Sequence, residues 1–160
     1  MPEAKSLITI SHSAEETQRL GRSLGPGLTC GDVVALHGDI GAGKTCLVQG
    51  LAQGMEVLGR VASPTFIIMR CHTPGCADAA LYHVDAYRLE SGEELWEMGL
   101  EDWLYNGVVA VEWAERVEDS LPAERLDIHF KILGEERELT LIAHGERFYR
   151  LLGYLQTCGF

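Results

Sequence analysis

Apolar and polar positions repeat with two different periods along this chain, and the changes of period predict its elements. Leu7–Ser11 (LITIS) reads as a strand, and Ser13-Ala14-Glu15-Glu16 follows as an S-x-x-E capping box. The helix it opens carries Leu20 and Leu24 on one face and is ended by Gly25-Pro26-Gly27. Asp32–His37 (DVVALH) is a short apolar run of the kind buried on both faces of a sheet, and Thr45–Met55 returns to helical spacing. Ile67–Arg70 and Ala79–Val84 are β-rich runs on either side of CHTPGCAD, whose Pro74-Gly75 pair predicts a hairpin loop. Ser91–Tyr105 is helical, as two short helices broken near Gly99, with Leu95, Met98, Leu100, Trp103 and Leu104 set against Glu93, Glu94, Glu97, Glu101 and Asp102. Val108–Val111 is a second buried-type strand. Leu126–Leu133 and Glu138–Ala143 alternate as an antiparallel pair turned at residues 134–136, and Glu146–Leu155 is an amphipathic helix. Strands alternating with helices predict an α/β fold: a mainly parallel sheet with helices on both faces and an antiparallel C-terminal hairpin.

Between DVVALH and the helix from Thr45 lies Gly38-Asp39-Ile40-Gly41-Ala42-Gly43-Lys44-Thr45. This is G-x-x-x-x-G-K-[ST] in the strand–loop–helix context the pattern requires. A chance match in such a chain is on the order of half a percent at average glycine usage. Glycines let the backbone curl until several N–H groups converge, and the helix N-terminus completes an anion site. Lys44 can reach the β- and γ-phosphates, and the Thr45 hydroxyl can serve Mg²⁺. The loop predicts a P-loop NTPase-like nucleotide site.

The 160 residues suit a single P-loop domain, leaving no length for a separate lid domain. A net charge of −11 with only three lysines, one of them Lys44, leaves no basic cluster to neutralise nucleic-acid phosphates. Direct nucleic-acid binding and attraction to an anionic membrane are therefore disfavoured, and a partner with a basic surface suits the charge better. The helical segment Glu93–Asp102 is the candidate docking face, against the plainer reading of a solvated helix side. Five cysteines without regular spacing, no signal-peptide pattern and no apolar run of ~18 residues point to a reduced, cytoplasmic protein. Cys71, His72, Cys76 and His83 could be imagined as zinc ligands, but C-x₄-C without a second cysteine pair favours a plain hairpin insertion.

A triphosphate site also needs an acid for the metal and a group that orients the nucleophile. Asp85 ends an apolar strand, where a Walker B aspartate belongs, and Glu112 ends the next buried strand, where it would face the crevice at the carboxyl edge of the sheet. A turn aspartate and a solvated loop carboxylate are the bland alternatives. Thr65 occupies a loop where switch segments lie. Trp113 is the tryptophan placed beside the nucleotide, whereas Trp96 and Trp103 read as core. Ser13 is a helix cap that could also touch adenosine.

Five segments in this order, GDIGAGKT, SPTF (63–66), YHVDAYR (82–88), EELWEMG (93–99) and VEWAE (111–115), resemble the bacterial TsaE (YjeE) P-loop ATPases over roughly residues 7–150. The resemblance implies ATP and Mg²⁺ as cofactors, Lys44 on the phosphates, Thr45 and Glu112 at the metal, Thr65 as the switch threonine and Asp85 as the Walker B acid. It implies Trp113 beside the nucleotide, Ser13 and Arg137 near the nucleoside, and His83, Tyr87 and Arg88 in a functional strand-end motif. It also implies an accessory role in threonylcarbamoylation of adenosine 37 of tRNA. The partner would be a TsaD/TsaB-like heterodimer, with tRNA met only through that complex. The CHTPGCAD hairpin is longer than the family pattern. A switch GTPase is disfavoured, because the sole asparagine, Asn106, starts no N-K-x-D motif. A small-molecule kinase, short of an arginine-rich lid, and a non-hydrolysing nucleotide-gated scaffold remain as alternatives.

Overall fold

A computed structural model describes residues 5–62, 68–75 and 78–160. Its strands are β1 (Lys5–Ser11), β2 (Val33–His37), β3 (Met69–His72), β4 (Ala80–Asp85), β5 (Gly107–Glu112), β6 (Arg125–Leu133) and β7 (Glu136–His144). They form one sheet in the order β1-β7-β6-β2-β5-β4-β3. The four central strands β6, β2, β5 and β4 run parallel, and β1, β7 and β3 add antiparallel edges. The helices are α1 (Ala14–Leu24), α2 (Lys44–Met55), α3 (Gly92–Met98), α4 (Leu100–Asn106) and α5 (Glu146–Thr157).

Strand alternation sorts the core into two layers. Val34 and Leu36 of β2 and Val108 and Ala110 of β5 turn toward α1, α2 and α5, where Leu24, Leu47, Leu51 and Leu155 meet them. Val33, Ala35, Val109 and Val111 turn the other way, onto Leu95, Leu100 and Trp103 of α3 and α4. The predicted sheet with helices on both faces is present, and the apolar runs DVVALH and VVAV are its buried central strands. Gly99, at φ 123°, separates α3 from α4 where the helical pattern broke. The last hairpin is tighter than expected: Leu133 faces Glu136 across the register, so only Gly134 and Glu135 turn the chain. Trp103 is core, but Trp96 is 44% exposed and donates its indole N–H to the Ser120 carbonyl, against the expectation that it was buried.

Helix α1 begins at Ser13, whose hydroxyl accepts from the Glu16 amide at 3.2 Å. Glu16 reaches back to the amide of His12, one residue before the cap, at 2.6 Å. The helix then lies directly against α2. A methyl group added at Gly50 would overlap the Gln18 carbonyl oxygen, and one at Gly21 the Leu47 carbonyl oxygen. The two backbones meet with no side chain between them.

On the opposite side of β2, a polar cluster ties the strand to β6. Asp127, 4% exposed, accepts from Arg125 Nε at 3.0 Å and contacts His37 Nε2 at 3.2 Å and His144 Nε2 at 2.8 Å. The His37 ring stacks on His129 at 4.3 Å. Burial alone would raise the Asp127 carboxyl, but hydrogen bonds from His37 and Arg125 outweigh it and hold the group at about 2. A carboxyl depressed in the folded state stabilises above its unfolded value near 3.8, and that stability is lost as pH falls toward 2. Asp127→Asn is therefore expected to cost about 3–5 kcal/mol at neutral pH, because it leaves buried donors without their charge. The gap from the unaltered protein should narrow as pH approaches 2, read by urea unfolding at pH 7 and pH 3. A gap that stays constant with pH would remove Asp127 as the cause.

Candidate nucleotide site

His37 is the last residue of β2, so the clamp on Asp127 fixes the point from which the Gly38–Gly43 loop leaves the sheet. Gly43 caps α2 at φ 103°, a conformation that strains any residue with a side chain. No side chain caps this helix, so the N–H groups of its first turn are left for an anion. A Cβ on Gly41 would meet nothing within 4 Å, which marks open space above the loop.

That space is a cavity of about 450 Å³. Its walls are the loop and first turn of α2 (Ile40, Gly41, Gly43, Lys44, Thr45, Cys46) and the strand ends beyond β4 and β5 (Asp85, Tyr87, Glu112, Trp113). Lys44 is 6% exposed and folds back onto the Gly38 carbonyl, with Asp39 O at 3.3 Å. Its Nζ lies 4.0 Å from the centre of the Trp113 ring. Burial pulls the Lys44 pKa down, against the opposing charges of Glu112, Glu115, Asp85 and Asp39. Trp113 sits in the left-handed region at φ 58°, which directs its ring over the lysine and against Tyr87, 5.0 Å away.

The two acids stand side by side, because Asp85 and Glu112 are register partners at the carboxyl ends of β4 and β5. Glu112, 5% exposed, accepts from the Thr45 hydroxyl at 2.9 Å and 3.2 Å. His83, fully buried on β4, meets the same carboxylate at 2.7 Å. Asp85 accepts from the Tyr87 amide at 3.0 Å. Burial raises the Asp85 carboxyl; the Tyr87 amide opposes that rise and the neighbouring Glu112 charge adds to it. Two adjacent carboxylates and a threonine hydroxyl at one end of the cavity form a hard oxygen donor set, and it suits a Mg²⁺-sized cation.

Of the residues picked from the sequence, Gly41, Gly43, Lys44, Thr45, Asp85, Glu112 and Trp113 are brought together around one cavity, with Ile40 at the rim. Ala42 lies buried behind the loop, and Gly38 and Asp39 supply the carbonyls that hold Lys44. Arg137 does not line the cavity. It bridges the tip of the β6–β7 hairpin to the loop through the Gly41 carbonyl at 3.2 Å and the Gly134 and Glu136 carbonyls at 3.1 and 2.9 Å. Ser13 caps α1 and is absent from the cavity wall; its neighbour Ala14 receives the Cys46 thiol at 3.5 Å. Thr65, with Ser63–Phe66, lies outside the described residues, as does Cys76. The zinc alternative includes Cys76, outside the described residues; within them no group of three His, Cys, Asp or Glu side chains is placed to hold a metal ion. Cys46 was overlooked as a cavity residue, although the helical spacing that starts at Thr45 puts it on the first turn.

The family model for "Threonylcarbamoyl adenosine biosynthesis protein TsaE" matches residues 11–139. The chain belongs to the TsaE family. Among similar proteins, TsaE of Bacillus subtilis is 41% identical over 139 residues, covering 86% of this chain and 85% of the relative. TsaE of Treponema pallidum is 39% identical over 134 residues, covering 82% and 97%. The crystal structure of Bacillus subtilis YdiB superposes with a TM-score of 0.82 at 33% identity, over the full length of both chains. The superposition with YdiB takes in the whole sheet and the P-loop at its centre. No helix among the described residues is long and apolar enough to cross a membrane.

Proposed function

We propose that this TsaE-family chain is a Mg²⁺-dependent ATPase. It would act in the cytoplasm as an accessory subunit of tRNA N6-threonylcarbamoyladenosine synthesis, with activity that depends on its partner subunits. The observation that carries the reading is the hydrogen bond from Thr45, first turn of the P-loop helix, to Glu112 at the adjacent strand end, inside a cavity floored by bare helix N–H groups. A hydroxyl and a carboxylate in contact beside an anion cradle are the parts that phosphoryl transfer to water requires.

The chain's own residues divide the work. The first-turn amides of α2 and Lys44 bind the phosphates once Lys44 leaves the Gly38 carbonyl. Thr45, Glu112 and Asp85 would hold Mg²⁺, which supplies charge neutralisation on the phosphate oxygens. Glu112 orients the attacking water and accepts its proton, within a site that Trp113 and Tyr87 close on one side. Among the described residues no arginine lines the cavity, which leaves a place for a cation or an ordering contact from the partner. An arginine supplied in trans adds about 10³–10⁵ to kcat in other P-loop systems.

The partner proposed is a TsaD/TsaB-like heterodimer, approached through the acidic side of α3, where Glu93 and Glu97 are exposed. ATP turnover is expected to be slow for the free protein and stimulated at least tenfold by the heterodimer with tRNA. Reversal of Glu93 and Glu97 to lysine should weaken assembly, more at low salt, without changing ATP binding by the free protein. Turnover as fast alone as in the complex would refute partner dependence. A doubly reversed variant that is stimulated like the unaltered protein would move the docking face elsewhere.

A further inference from the structure

We infer that His83 is a positioning residue that fixes the orientation of Glu112 for the reaction. The inference rests on the reading of Glu112 as the water-orienting group. His83 is fully buried on β4, on the sheet face that carries Leu81 and looks toward α2. Its Nε2 lies 2.7 Å from Glu112 Oε2. Its Nδ1 is buried without a hydrogen-bond partner.

These facts fix which way the bond points. A carboxylate has only lone pairs to offer, so Nε2 must carry the hydrogen and donate it. A second hydrogen on Nδ1 would be buried unpaired, which is costly; a bare lone pair there costs less. Nε2 is therefore the ring nitrogen that carries the donated hydrogen, and Nδ1 is the one left without a partner. The other donor to Glu112 is the Thr45 hydroxyl, at 2.9 Å from Oε1 and 3.2 Å from Oε2. His83 thus pins Oε2 from below the sheet edge while Thr45 meets the carboxylate from the cavity. With only Thr45 left, the carboxylate could rotate about its terminal torsion, whose energy well is broad. His83 does not line the cavity, and its direct contact with the site is through Glu112.

The test combines ring spectroscopy with two variants. In the unaltered protein, ¹⁵N-labelled histidine spectra should show His83 as the Nε2–H tautomer, with that proton in slow exchange. An Nδ1–H tautomer would overturn the inference whatever the activity. His83→Leu, which keeps bulk and removes the donor, should lower partner-stimulated kcat about 10–100-fold, the range for groups that orient a metal-site ligand. ATP affinity measured without Mg²⁺ should stay within about twofold. His83→Gln, which returns a donor near the same place, should recover most of the lost kcat. Equal loss of kcat and affinity, or no difference between Gln and Leu, would reduce His83 to a packing residue. If the unaltered protein hydrolyses no ATP even with its partners, the ATPase reading falls. The tautomer, and any change in the Glu112 side-chain carboxyl resonance of His83→Leu, then still decide the orientation.

Discussion

Lys44→Ala is expected to abolish measurable ATP binding while the fold survives. The lysine is the cation at the inner end of the cavity, and a charge-assisted bond to a phosphate is worth about 1.5–3 kcal/mol, or roughly 10- to 150-fold in affinity per bond. Lys44 would make more than one such bond, and the Trp113 ring it now lies beneath would lose its cation as well. Stability should change little. In the free protein Lys44 is buried against backbone carbonyls and the Trp113 ring, with no hydrogen-bonded carboxylate among the described residues, and burial already opposes its charge. Titration calorimetry with ATP and Mg²⁺, beside a thermal melt, reads both arms. Unchanged ATP affinity in a folded variant would remove the phosphate role from this loop.

The second large effect is expected at Glu112, and it should fall on a different parameter. Glu112→Gln keeps the shape and one acceptor, since its single amide oxygen can accept from Thr45 or from His83, but it cannot take a proton from water. Turnover with partner subunits should drop by about 10²-fold or more, while ATP affinity stays within a few-fold. That is the pattern of an interaction made chiefly in the transition state. Asp85→Asn should instead raise the Mg²⁺ concentration needed for half-maximal turnover, because Asp85 faces the metal side of the donor set and shares the strand-end register with Glu112. If Glu112→Gln turns over like the unaltered protein, the water-orienting role belongs to another group.

The sequence made local features readable and left most tertiary ones hidden. The P-loop, the two apolar central strands and the break at Gly99 were legible because each is written in adjacent residues with a strong backbone meaning. The strand-end acids were legible because a parallel sheet places its carboxyl ends on one edge. Strand order was not, so nothing predicted that Asp127 would meet His37, 90 positions away, beneath the phosphate loop. The same holds for Arg137: its match to the family pattern brought it near the nucleoside, and only the hairpin's fold shows its bond to the Gly41 carbonyl of the phosphate loop. Ser13 illustrates a different limit. A capping box and a ligand contact use the same side-chain oxygen, so the pattern S-x-x-E reads alike for either; here that oxygen accepts from the Glu16 amide.

The bare backbone contact between α1 and α2 bears on how the molecule can respond to a ligand. Helices that interlock through side chains can slide by exchanging rotamers, but two backbones in contact at Gly21 and Gly50 have no rotamers to exchange. A push on the phosphate loop that displaces α2 must carry α1 with it as a single lever. The start of α1, which receives the Cys46 thiol from the cavity wall, also meets the tip of the last hairpin through the His12–Glu136 contact, 2.7 Å. A movement of α1 and α2 would therefore reach the tip of the last hairpin, which Arg137 already joins to the phosphate loop at the Gly41 carbonyl.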